Sequence, residues 1–112
     1  MLRYGLGDMA GAHIIELDGS QWSERWDFWR ALRQALLVRS DHALNFAAVD
    51  DSVFYYPDEL KVRPPLRVIV RRPSAVALTD VQTMATGWAE VRAWKREHYG
   101  DDVDASIVIE TE

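Results

Sequence analysis

Residues 63–72 read RPPLRVIVRR, and the fold turns on how they are taken. Pro64 and Pro65 block entry into a helix, so Leu66–Val70 reads as a strand of apolar, largely β-branched residues. Arg67 and Arg71 alternate imperfectly with Val68 and Val70, a pattern expected at or near a sheet edge. Upstream, AHIIEL (12–17) is a short β-branched run, ended by the turn signal Asp18-Gly19. Between these two strands lie two helical patterns. One starts near Ser23, with Glu24 favoured in its first turn by the helix dipole, and ends around Leu37 to Arg39. Phe28, Leu32, Ala35 and Leu36 share its apolar face. The second spans Asn45 to Phe54, with Phe46, Val49 and Val53 as a narrow buried stripe.

Downstream, TDVQ (79–82) fits a capping box, Thr79 as cap and Gln82 reaching back. Val81, Met84, Trp88 and Val91 then line one helical face up to about Tyr99. Gly87 weakens this helix by roughly 1 kcal/mol, which predicts a close contact there. Gly100 is the expected stop, and ASIVIE (105–110) is the last strand. The order is therefore β-α-α-β-α-β. Each connection between strands is long enough to hold a helix, which makes the strands parallel and the crossovers right-handed. The expected fold is α/β, a three-stranded parallel sheet with helices packed on it. Residues 1–11, with three glycines and no period, read as a loose leader, and 12–112 as a single domain.

Composition narrows the function. The 48% hydrophobic content and five tryptophans suit a globular domain. The absence of cysteine excludes disulfides and zinc-thiolate sites and fits a reducing cytoplasm. The start, MLRYGLGDMAGAH, has no apolar core of a secretory signal, and no apolar run nears the roughly 20 residues needed to span a bilayer. A net charge of −5 argues against nucleic acid as a direct partner. Within that total, residues 41–60 carry Asp41, Asp50, Asp51, Asp58 and Glu59 with no Lys or Arg. Residues 61–72 carry Lys61, Arg63, Arg67, Arg71 and Arg72 with no acid. Such a chain is expected to be strongly dipolar and to steer an oppositely charged partner. A solvated helix beside a basic edge strand accounts for the same charges.

No motif for catalysis emerges. GLGDMAG (5–11) looks like a dinucleotide fingerprint, but it precedes the first strand instead of following one. His13, His42 and His98 lie on separate elements, without metal-ligand spacing. Asp50 and Asp51 diverge by about 100° on a helix and do not converge on one substrate atom. Asp51 points away from the apolar stripe, beside Ala47 and Ala48, while Asp50 sits on the stripe's flank. Tryptophans 22, 26 and 29 follow i, i+4, i+7 and form a second stripe, which leaves core packing and self-association both open. Tyr55 and Tyr56 follow the acidic helix, where aromatics beside charges suit a binding surface.

IIELDGSQWSERWDFWRALRQAL followed by NFAAVDDSV resembles the barstar family, small intracellular inhibitors of secreted bacterial ribonucleases. The resemblance runs over residues 12–54 through the Asp18-Gly19 turn, the Phe28/Leu32/Leu36 helix and the motif Asn45-Phe46-Ala47-Ala48-Val49-Asp50-Asp51. It covers the remaining strand–helix–strand more loosely. It implies an inhibitor that plugs a basic ribonuclease's active site with the second helix and the loop before it, acids standing where RNA phosphates would bind. The family's final aspartate of the motif falls on Asp51. Asp50 and Asp41 would flank it, with His42, Asn45 and Ala47 in the same contact and Tyr55 near its rim. An acid of the last helix, Glu97 or Glu90, would complete it. Ala47 replaces the motif's earlier aspartate, Asp50 a tryptophan, and Asp41 an aromatic. No cofactor, metal, membrane or catalysis is implied, and a monomer is expected, with a weak dimer left open by the tryptophans. The alternative is an adaptor or immunity protein for a different basic partner, such as another nuclease toxin.

Overall fold

The computed structural model describes residues 11–38 and 46–111, and for 46–48 the backbone alone. Strand β1 (His13–Asp18) is followed by helix α1 (Arg25–Leu36), helix α2 (Phe46–Phe54) and a 3-10 turn (Pro57–Glu59). Strand β2 (Leu66–Arg71), helix α3 (Ala75–Tyr99) and strand β3 (Ala105–Glu110) complete the chain. The sheet order is β1-β2-β3, all parallel, with Ile15 beside Val68 and Val68 beside Ile107. The fold is thus the expected α/β architecture with a three-stranded parallel sheet. The expected leader, apart from Gly11, lies outside the described residues.

β2 is the central strand, not an edge, and its irregular alternation has another cause. Leu66, Val68 and Val70 join Phe28, Leu32, Leu36, Val49, Val53, Val81 and Trp88 in one core. All three helices therefore cover the same face of the sheet. Ile69 is only 1% exposed yet lies outside that core, on the opposite face. Parallel sheets are ordinarily covered on both sides; here ion pairs roof the second. Arg67 reaches Asp104 at 2.8 Å, and Arg71 pairs with Glu16 and with Glu110, the latter at 2.6 Å. These arginines flank Ile69 on the same face, where their aliphatic stems shelter apolar surface.

The same pairs overturn the expectation of an unopposed basic segment. Arg63 binds Asp58 (2.8 Å), Arg72 binds Asp18 (3.1 Å), and Lys61 donates to the Gln34 carbonyl (2.7 Å). Most of these partners are distant in sequence, so counting charges along the chain misses them.

Helix α1 begins one turn later than Trp22. Asp27 accepts the backbone N–H groups of Ser23 (2.8 Å) and Glu24 (3.0 Å), and these donors hold its carboxyl below the ordinary range. Trp22 thus belongs to the loop and not to a helical stripe; its ring packs 5.6 Å from Phe28. It also explains Gly19, where a Cβ would lie 2.7 Å from the Trp22 ring and 2.8 Å from Pro73 Cα. Trp26 is exposed, and Trp29 lies half-buried under the Arg33 guanidinium at 4.2 Å.

Helix α3 starts at Ala75 with Ser74 as its cap, so TDVQ is helix interior and not a capping box. Residue 73 is a proline and Arg72 has positive φ (49°), so the chain turns into the helix there, earlier than Thr79. Gly100, with φ 66°, ends it in the left-handed conformation expected of a C-cap. The close contact expected at Gly87 is missing: a Cβ there would meet nothing within 4 Å among the described residues.

Candidate functional site

Helix α2 is presented as an excursion with clamped ends. Where α1 finishes, Val38 N–H donates to the Glu59 carbonyl (2.9 Å) and Lys61 N–H to that of Leu36 (2.6 Å), an antiparallel bridge centred on Leu37 and Leu60. The helix between these points buries Val49, Val53 and Phe54. Phe54 meets Trp88 edge to face, ring centroids 5.9 Å apart. Ser52, 3% exposed, donates to Glu59 at 2.7 Å, fastening the helix to the 3-10 turn below it.

Two contacts lock α2 onto α3. The Trp88 indole N–H donates to Asp50 Oδ1 at 2.6 Å. At the other end, the buried Lys95 ammonium donates to the Phe54 carbonyl at 2.7 Å, the last residue of α2. A cation at a helix C-terminus answers both the orphan carbonyls and the dipole. The same ammonium lies 3.2 Å from Asp101 and 4.4 Å over the Tyr55 ring.

The two adjacent aspartates consequently differ. Burial pushes the Asp50 carboxyl up to about 6; the Trp88 N–H works against this, and the neighbouring Asp51 charge adds to it. Asp51 is exposed, and its carboxylate has no hydrogen bond or ion pair among the described residues. Tyr55 is half-exposed at 44%, with Tyr56 beside it at 59%. Glu97 and Glu90 are both exposed on α3, seven residues apart on one side of the helix, and neither has an ion pair among the described residues. Asp58 is exposed but bound to Arg63. Asp41, His42 and Asn45 lie outside the described residues, and for Ala47 only its place in the helical backbone is described.

The structure thus brings Asp50, Asp51 and Tyr55 together on α2 and its end, beside α3. Sequence reading missed Lys95 and the Trp88–Asp50 bond. Both had a signal: a buried tryptophan requires an acceptor for its N–H, and Val81, Trp88 and Lys95 repeat at seven-residue spacing, which carries a lysine onto the buried row. Among the described residues, no group of three or more His, Asp or Glu side chains is placed to hold a metal ion. No helix there is long and apolar enough to cross a membrane.

Fold and surface together define an α/β domain that displays a braced acidic helix. No protein-family model, curated protein or solved structure matches the chain.

Proposed function

We propose that this chain is a barstar-like, cytoplasmic protein inhibitor of a basic ribonuclease. It acts as a binding protein and not as an enzyme, with α2 and the loop before it occupying the active site and their carboxylates standing in for RNA phosphates. The observation that carries the reading is Asp51. It falls on the last aspartate of the family-like motif, and it is exposed and has no ion pair among the described residues, while the Trp88–Asp50 and Lys95–Phe54 contacts fasten its helix to α3. A fixed carboxylate aimed outward loses little freedom on meeting an Arg or Lys, so its binding energy is not spent on ordering. The β-α-α-β-α-β order agrees with the same resemblance. Asp50 precedes this anion on the helix, Tyr55 contributes at the rim, and the resemblance assigns Asp41 to the same contact.

A second reading, an adaptor or immunity protein for another basic partner, draws support from Ala47 and Asp50. The first removes one acid of the motif, and the second turns its carboxylate toward Trp88. Titration into an assay of a small basic ribonuclease separates the two. Stoichiometric inhibition that weakens at least a hundredfold in Asp51→Ala, and falls with added salt, is expected. Absence of inhibition at micromolar inhibitor moves the function to the second reading.

A further inference from the structure

Gly87 interrupts the middle of a long helix, where glycine weakens the helix, and no neighbour among the described residues requires it. It stands at the margin of the buried face of α3, on a row that runs through Asp80, Thr83, buried Met84, Glu90 and Trp94, three or four residues apart. Alongside, α2 runs in the same direction: Asp50 is bound to Trp88, and Tyr55 lies farther along, against Lys95. The seam between the helices is hollow on this side. A notch of about 180 Å³ has Asp50, Met84 and Gly87 in its walls, and a second hollow of about 410 Å³ lies between Tyr55, Glu90 and Trp94. Gly87 lines the notch, and a side chain there would stand in it.

We infer that this groove between α2 and α3 is the seat of a cationic segment of a basic protein partner, kept open by Gly87. The inference rests on reading this face as the partner-binding side. Charge complementarity selects the occupant. Asp50 has one oxygen on Trp88 and the other without a bond, and Asp51 and Glu90 have no ion pair among the described residues. Among the described residues the nearby cations are engaged: Lys95 with Asp101, Arg25 with Asp80, Arg92 with Asp102. One guanidinium enters the notch against Asp50, over the apolar floor of Met84. His98 already stacks on Trp94, ring centroids 4.5 Å apart, so a second arginine stacks its planar head on the other ring face of this residue, which is 43% exposed, with Glu90 beside it. Gly87 and Trp94 are seven residues apart, about 10 Å along the axis, a span that three residues of extended chain cover.

The test uses the full chain, ¹⁵N-labelled, and a hexa-arginine peptide as probe at about 50 mM salt. Saturable shifts of the Trp88 and Trp94 indole N–H signals are expected. Gly87→Leu changes no charge, and it should raise the peptide Kd at least tenfold without lowering Tm. Trp94→Ala, at an exposed position, should raise it at least threefold and serves if the leucine variant folds poorly. Equal affinity in both variants, or shifts that avoid the two indoles, would overturn the groove and leave only diffuse attraction to acids. The same variants run against the ribonuclease keep the two ideas apart. Peptide binding blocked by Gly87→Leu, without ribonuclease inhibition by the unmodified chain, upholds the groove and defeats the ribonuclease reading. Inhibition and peptide binding both indifferent to Gly87→Leu do the reverse.

Discussion

At Asp50, desolvation and the adjacent Asp51 charge outweigh the single hydrogen bond from Trp88, so the carboxyl titrates near 6 instead of at its ordinary value of 3.8. The folded state therefore holds this proton more tightly than the unfolded chain. Its contribution is fully present below pH 4, declines as pH rises toward 6, and is lost above that. At neutral pH the ionised group costs stability. Two pH units correspond to about 3 kcal/mol, and partial solvent access reduces this to about 1–2 kcal/mol. Asp50→Asn keeps an acceptor for Trp88 and removes the charge, so it should stabilise the protein by about that amount at pH 7 and by almost nothing at pH 3.5. Urea melts of both proteins at the two pH values measure it; an equal difference at both would refute the buried-charge account. Asp51 differs: it is exposed and has no ion pair among the described residues, and on the proposed function it meets the partner. Asp51→Ala should leave Tm within a degree or two and weaken partner binding by several kcal/mol, against less than about 1 kcal/mol for Asp58→Ala, whose exposed carboxylate is already paired. Similar binding losses in the two variants would remove Asp51 from its central place.

Helix α2 has nine residues, too few to persist alone, and its stability comes from its seats on α3. Lys95 supplies the C-terminal one. Lys95→Met retains an unbranched stem but strands the Phe54 carbonyl and Asp101, a loss of about 2–3 kcal/mol. The amides of Tyr55 and Tyr56, bonded to the Asp51 carbonyl at 2.8 and 3.1 Å, should exchange faster with solvent in that variant. Exchange unchanged at those two amides, with stability intact, would show that the lysine does not secure the helix. This seat also marks how far sequence reading extends. Among the described residues, periodicity found the three α-helices and the three strands, because each carries an apolar face of its own, such as Phe28/Leu32/Leu36 or Val81/Met84/Trp88. It misplaced the start of α3, since Thr79-Asp80-Val81-Gln82 has the side chains of a capping box while Ser74 holds the position where the chain turns. It also identified Asp51 as outward-facing from helical phase alone. What joins α2 to α3 is tertiary: Asp50 and Trp88 are 38 residues apart and Phe54 and Lys95 are 41, and no local pattern pairs them.

Across the described residues, the helices cover one face of the three-stranded parallel sheet, and on the other face ion pairs do the work of a covering layer. Glu16 and Ile69 stand side by side in the register, as do Ile69 and Val108, with Arg67 and Arg71 two residues either side of Ile69 on the central strand. Asp104 holds the first arginine, and Glu16 with Glu110 hold the second. Asp104 also accepts Arg92 at 3.0 Å, which ties this outer lattice to the end of α3. Networked pairs of partly buried arginines hold geometry better than isolated surface bridges. Ile69, 1% exposed, then behaves as a core residue without belonging to the main core. Ile69→Ala should cost about 2–4 kcal/mol, the range for deleting a fully buried aliphatic side chain, whereas Val108→Ala, at a partly exposed position on the same face, should cost about 1 kcal/mol. Arg71→Ala should destabilise as much by uncovering Ile69 as by freeing two acids. In a double-mutant cycle the two losses should therefore fall short of additivity by at least about 0.5 kcal/mol. Denaturant melts of the four proteins give the coupling directly. Strict additivity would mean that the arginines merely decorate the sheet, and that Ile69 owes its burial to the neighbouring strands alone.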